Sequence, residues 1–512
     1  MSAAQTTETT ETPGTTARPV PEPAPPDSPM SLVRTRLTLL ACLVTVMLAV
    51  LDMQIVSAAT VPIVRDLDPV HGLDKIPWLI SGFSLAATAA LPLLGKLADV
   101  YGAKRVFLAV LGFFLVGSTL CGLAQNMTEL IAARAVQGIG GGGLMSITMV
   151  VVAQLQGVGG SGDGKRAGGP NPAVGGIVAG TGIALGPWVG GMLAEHANWR
   201  WIFFVNLPLG LVVLTVVALA MRLPARPLTH RIDYLGAGLA AAFASGLLLV
   251  TEWGGKQYAW SSPQLLGTAA ATLALLAAFL WRQATAAEPV LPLSLLRDRT
   301  LRLAFTIQAL IGMALVGAMV YVLIYLQVAR ELPATSAALY LLPMAGGMAG
   351  VGLLTARLGW TARSQSISGT ACATLALGLL ATLRPDSALW FVHLAMLLLG
   401  VGLGQLMGQL IVLVQQSAPP QQMGVATTAI RFFQTLGSAI GAAAFGTLLA
   451  RVYAARHDGG SPASAGGAHP SAASLEAFTT ATDAVFAGAA VLTALALAAS
   501  LRLPRQERVK GS

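Results

Sequence analysis

The chain has 512 residues, of which 55% are hydrophobic and only 10% are Asp, Glu, Lys or Arg, with a formal net charge of +9. A soluble domain is roughly a quarter charged, so this chain cannot cover a soluble surface of its size. Its cations lie in short segments between apolar runs rather than on one basic face, which excludes nucleic acid as a partner and leaves the lipid bilayer.

The chain opens on a stretch rich in Thr, Pro and Glu, without the apolar core of a signal peptide, and residues 1–35 are expected to be a disordered cytoplasmic tail. Apolar spans follow at about 37–59, 77–98, 105–124, 129–154, 174–194, 200–222, 233–252 and 264–281. A second series runs at about 303–327, 337–357, 367–384, 388–415, 424–451 and 484–501, which predicts fourteen membrane-crossing helices. With both termini inside, 21 of the 31 Lys and Arg fall on cytoplasmic segments and 8 on outer ones, as the positive-inside rule requires.

Two polar stretches remain: a Gly-rich cytoplasmic loop at 155–173 and a Gly-, Ser- and Ala-rich outer loop at 452–480. The first holds Gly159, Gly164 and Lys165 at phosphate-loop spacing, but Arg166 stands where the magnesium-holding hydroxyl belongs, and no strand precedes it. Nucleotide-driven transport is therefore not expected. Cys42, Cys121 and Cys372 fall in apolar runs at unrelated spacings, and neither a disulfide framework nor a metal site is expected.

Ionisable residues inside spans are costly and are functional candidates by default. Asp52, in LAVLDMQIVSAATVP, lies 15 residues above the cytoplasmic end of its span, or ~22 Å. Arg134 enters from the opposite side, ~8 Å below the outer end of the fourth span. Both land at a similar depth, so they are candidates for a proton-dependent ion pair; the competing reading is a permanent lock on helix packing. Arg431 lies nearer the cytoplasmic end of its span and is expected to snorkel to the interface. His393 is expected to be a hydrogen-bonded core histidine, with a proton relay as the alternative. Glycines recur at helical spacing in AVQGIGGGGLMS and GGIVAGTGIALGPWVGGM, which favours close helix approach, and Pro187 should bend its helix.

Several of these segments together resemble the major facilitator superfamily, and within it the fourteen-helix drug:proton antiporters of the multidrug-resistance exporter type. The turn from Gly95 through Lys96, Asp99, Gly102 and Lys104 to Arg105 is similar to the superfamily's G-x-L-a-D-r-x-G-r-k/r signature, although Ala103 replaces a basic residue. LDMQIVSAATVP resembles the first-helix motif through Asp52 and Pro62, with Gln54 in place of Thr. RAVQGIGGG matches the fourth-helix motif through Arg134, Gln137 and Gly138, and GIALGPWVGG matches the antiporter motif through Gly182, Gly186, Pro187, Gly190 and Gly191. WRWIFFVNLPLG, with Asn206 and Pro208, continues the match, and GVATTAIRFFQTLGSAIG at 424–441 carries it into the second half.

The resemblance implies an all-α major facilitator fold: a six-helix bundle over 36–222, two linking helices and a cytoplasmic loop over 223–300, a second bundle over 301–503, and a tail at 504–512. It further implies export of an amphiphilic small molecule in exchange for protons, with the proton gradient as the energy source and no cofactor. Asp52 would carry the proton or meet substrate, with Arg134 as its coupling partner. Asp99 and its basic neighbours would gate the cytoplasmic side, and Gln54, Gln137, His393 and Arg431 would be secondary. A monomer in the bacterial cell membrane is expected. A dedicated exporter of one host metabolite or antibiotic is the nearest alternative, and a polytopic membrane enzyme a remote one. Few obvious carboxylates are expected to face the second bundle.

Overall fold

A computed structural model describes residues 31–68, 72–158, 198–223, 233–255, 257–332, 334–358, 360–384, 387–456 and 472–504, with 186, 189–190 and 192–193. These residues are helical throughout, joined by short turns. The first half contains α1 (Leu32–Ala58), α2 (Thr60–Leu67), α3 (Gly72–Tyr101), α4 (Ala103–Leu123), α5 (Met127–Val158), α6 (Trp201–Phe204) and α7 (Asn206–Ala220). Next come α8 (Tyr234–Trp253), α9 (Pro263–Thr285) and the short α10 (Leu293–Arg297). The second half has α11 (Arg299–Val328), α12 (Ala334–Leu339), α13 (Leu342–Leu358), α14 (Ala362–Leu380), α15 (Trp390–Ser417), α16 (Met423–Arg456) and α17 (Ala472–Leu501).

Helix starts follow from capping chemistry. Ser31, Asp233, Ser262, Asp298 and Thr361 each accept a hydrogen bond from a backbone N–H in the first turn of the helix that follows. The sharp reversal between α3 and α4 is made by Gly102 at φ +87°, a left-handed conformation that a side chain would strain.

Helices α1, α3, α4, α5 and α7 pack into one bundle, and α11 and α13–α17 into another. In the first, glycines on two faces of α5 set the spacing. A methyl group on Gly138 or Gly142 would overlap the α3 backbone at Phe83 or Ala87, and one on Gly140 would overlap the α4 backbone at Val110 and Phe114. Without side chains there, backbones meet directly, which is how dispersion holds helices together where lipid offers no hydrophobic gradient. The second bundle repeats the device where Gly437 of α16 meets Ala309 of α11, and Gly400 of α15 meets Met344 of α13.

The linking helices α8 and α9 pack on each other, and α8 lies against both α3 and α16. Trp78 and Trp253 meet edge to face at 6.1 Å along that contact, and Leu91, Ala244 and Phe432 form a small apolar cluster joining the three helices.

Among the described residues, eleven helices are long and apolar enough to cross a membrane, so the chain is a multi-pass membrane protein. The predicted count of fourteen is not reached on that criterion. Helix α13 is short at 17 residues, α14 is rich in Ser and Thr, and most of the 174–194 span lies outside the described residues. The outer loop expected at 452–480 is shorter than its composition suggested. Helix α16 runs to Arg456 and α17 starts at Ala472, because Ala-rich segments hold helix well despite low hydropathy. The earlier start places Asp483 inside α17 with one carboxyl oxygen buried, one of the few carboxylates in the second bundle. Residues 155–158 of the loop expected at 155–173 continue α5, and the rest of it lies outside the described residues.

Glycine spacing gives a direct test. Gly140→Val should destabilise the solubilised protein by about 1–3 kcal/mol through overpacking, seen as a lower Tm. Gly378→Ala, where an added methyl meets nothing within 4 Å, should not lower the Tm, and its higher helix propensity should add up to about 1 kcal/mol of stability.

Candidate functional site

Four helices of the first bundle converge on Asp52. Arg134 and Gln137 stand three residues apart on α5 and so share a face. Arg134 Nη1 donates to Asp52 Oδ2 at 2.8 Å and to Gln137 Oε1 at 2.7 Å. Gln137 Nε2 donates to Asp52 Oδ1 at 2.8 Å, and Asn206 Nδ2, in the first turn of α7, donates to the same oxygen at 2.9 Å. Ser118 of α4 accepts from Gln137 at 3.2 Å and from Asn206 at 3.0 Å, while its hydroxyl donates to the Phe203 carbonyl at 2.9 Å.

Glycine packing makes this reach possible. Gly117 of α4 lies against the Gln137 backbone with no room for a Cβ, which brings Ser118 within bonding distance. The Asp52 side chain is 0% exposed and that of Arg134 3%. The guanidinium also lies 4.3 Å from the Phe83 ring centre, a cation–π contact on its remaining face, while Arg134 Nε is buried without a hydrogen-bond partner. An ion pair this deep survives only with the further hydrogen bonds seen here, and removing one partner of such a pair costs about 3–5 kcal/mol.

A second polar site lies at the end of the molecule marked by Gly102. Asp99 accepts from the backbone N–H groups of Gly424 at 2.7 Å and Val425 at 2.9 Å. It thus caps α16 from the other bundle, where exposed N–H groups and the helix dipole favour a carboxylate. Gly95, one turn earlier, packs on Gly424 and Thr428. Lys104 Nζ donates to the carbonyls of Ala218 at 2.8 Å and Met221 at 2.7 Å, closing the C-terminus of α7, and Lys96 pairs with Glu288 at 3.2 Å. Arg105 is exposed. At the far end, Arg200 Nη1 at 2.7 Å and Trp199 Nε1 at 3.0 Å donate to Asp66, and the Arg200 bond, chiefly, holds that carboxyl below its ordinary range.

The sequence-predicted residues thus separate into groups. Asp52, Arg134 and Gln137 come together; Gly95, Asp99 and Lys104 form a separate site. Gly186 and Gly190 are helical and buried, whereas Gly182, Pro187 and Gly191, with the side chain of Gln54, lie outside the described residues. His393 is not a core residue. It is exposed, its Nδ1 is 3.1 Å from the Leu389 carbonyl one turn back, and its ring lies against Tyr340. Arg431 does not snorkel to the helix end. It turns towards the other bundle, bonding Gln434 Oε1 at 3.0 Å and Met145 Sδ at 2.8 Å. Asn206 and Ser118 were not legible as site residues, since an uncharged polar group 154 or 66 positions from Asp52 carries no spacing signal.

Comparison with known proteins accounts for this architecture. The Major Facilitator Superfamily model matches residues 42–442. The Mycobacterium tuberculosis protein "Uncharacterized MFS-type transporter Rv1877" is 33% identical over 65% of this chain, which spans about half (48%) of that relative's length. The Bacillus subtilis "Multidrug transporter protein MdtP" is 32% identical over 80% of this chain and 74% of its own. In shape, the chain is similar to the proton:xylose symporter XylE, with a TM-score of 0.61 at 12% identity over 92% of this chain and 96% of that one. These matches remove the membrane-enzyme alternative, and the chain belongs to the major facilitator superfamily of membrane transporters.

Proposed function

We propose that the chain is a proton-coupled antiporter that exports apolar, amphiphilic compounds by alternating access. The observation that carries this reading is the Asp52–Arg134–Gln137–Asn206 cluster, a carboxylate held by donors from two other helices at membrane depth. A proton on Asp52 would cancel its ion pair with Arg134 and give it a hydrogen to donate. The bonds drawing α1, α5 and α7 together would then slacken. Proton arrival and helix rearrangement are thereby one event, which is what coupling requires. The naming of MdtP as a multidrug transporter supports small-molecule export as the direction of work.

The described polar contacts between the two bundles all lie towards the Gly102 end: Asp99 with Gly424 and Val425, Gln415 with Met149, and Arg431 with Met145. Under the positive-inside orientation this is the cytoplasmic side, so the arrangement is the cytoplasm-closed state of the cycle. The protein would work as a monomer in the bacterial cell membrane with both termini inside.

Dye efflux from intact cells under an imposed proton gradient tests the coupling role. Asp52→Asn should slow gradient-driven efflux by about tenfold or more, a barrier change of ~1.4 kcal/mol. Equal efflux by the variant removes Asp52 from coupling, and efflux that ignores an uncoupler but stops on ATP depletion removes antiport. Closure is tested separately by labelling. Asp99→Ala strips the cap from α16, at a cost of about 1 kcal/mol. A cysteine placed at buried Thr428 should then react with an impermeant maleimide from the cytoplasmic side, while staying protected when Asp99 is present.

A further inference from the structure

Among the described residues Arg431 is a cation without a counter-charge. It lies on α16 eight residues beyond Met423, ~12 Å into the span, at the seam between the bundles. Its guanidinium has two hydrogen-bond partners, the amide oxygen of Gln434 and the thioether sulfur of Met145, and neither is charged. Its Nε is buried and meets no acceptor, and among the described residues no carboxylate lies within 4 Å of it. The first bundle shows the contrast, since Arg134 is neutralised by Asp52 at 2.8 Å.

A part-buried guanidinium whose Nε is buried and unpartnered is costly to keep at this depth. Packing does not require it, because the apolar neighbours Phe432, buried in the α3–α8–α16 cluster, and Phe433, stacked on Phe305 at 5.2 Å, already fill the helix flanks. The Met145 contact joins two bundles that must part during transport, and a neutral thioether is a weak acceptor that an anion displaces readily. A cationic compound meets repulsion from the guanidinium at this point.

We propose that Arg431 is the recognition group for the transported compound, and that this compound carries an acidic group, such as a carboxylate or sulfonate, on an apolar frame. The assignment rests on the exporter reading, so the decisive measurement is binding rather than transport. Equilibrium dialysis of the solubilised full chain would compare naphthoate, naphthylmethylammonium and methoxynaphthalene, three probes with one ring system and different charge. Wild type should bind naphthoate at least about tenfold more tightly than the other two. Arg431→Gln should abolish that preference, Arg431→Lys should keep part of it, and Met145→Leu, which spares the cation, should keep all of it.

Equal binding of the three probes by wild type overturns the proposal, as does an unchanged preference in Arg431→Gln. Should Arg431→Gln fail to fold, the Arg431→Lys and Met145→Leu pair decides: loss of the preference in Met145→Leu alone overturns it. Inorganic sulfate is the control for a simple anion site, and displacement of naphthoate by equimolar sulfate also overturns the proposal. Arg431-dependent binding without gradient-driven movement of naphthoate would keep this site and defeat the exporter reading instead.

Discussion

A carboxylate and a guanidinium taken out of water together must find, inside the protein, everything that water supplied. Asp52 and Arg134 meet that demand with Gln137, Asn206, Ser118 and the Phe83 ring, drawn from α5, α7, α4 and α3. Because each partner comes from a different helix, the desolvation cost of one ion pair constrains the positions of five helices. Such a network cannot be partly kept. Any change in the charge of Asp52 leaves the donors around it with a different partner, and the helices that carry them must respond.

The glycines are the mechanical counterpart of that network. A polar cluster of short side chains closes only if the backbones approach within its reach, and Gly117, Gly138, Gly140 and Gly142 provide that approach. They also leave smooth contact faces without interlocking side chains, the kind of surface over which helices can shift while staying packed. Polar bonding and glycine packing thus act together in the first bundle to fix how the helices around Asp52 meet.

Charge is distributed unequally between the halves. The first bundle contributes the neutralised pair and, through Asp99, the carboxylate that caps α16 of the second. The second bundle contributes a helix N-terminus, Asp483 in α17 and Arg431, which meets no carboxylate among the described residues. Contact between the halves at the Gly102 end is therefore made from a charge and a helix dipole on one side of the seam, with a cation facing a thioether higher up. These contacts differ in strength, and the weaker one lies deeper.

Much of this was legible in the residues themselves. Scarcity of charge identified a membrane protein, hydropathy predicted fourteen spans where eleven qualify among the described residues, and motif order on them pointed to the superfamily. Asp52 and Arg134 stood out because a charge in an apolar run is expensive wherever it lies. Asn206 and Ser118 did not, since neutral polar side chains carry no such cost signal and their importance arises from what lies across the bundle. Arg431 and His393 were misplaced for a related reason: position along a helix gives depth, whereas packing decides which way a side chain faces. Depth is a property of sequence because helix rise is constant. Partnership is a property of the tertiary structure, because it depends on which backbones the glycines allow to touch.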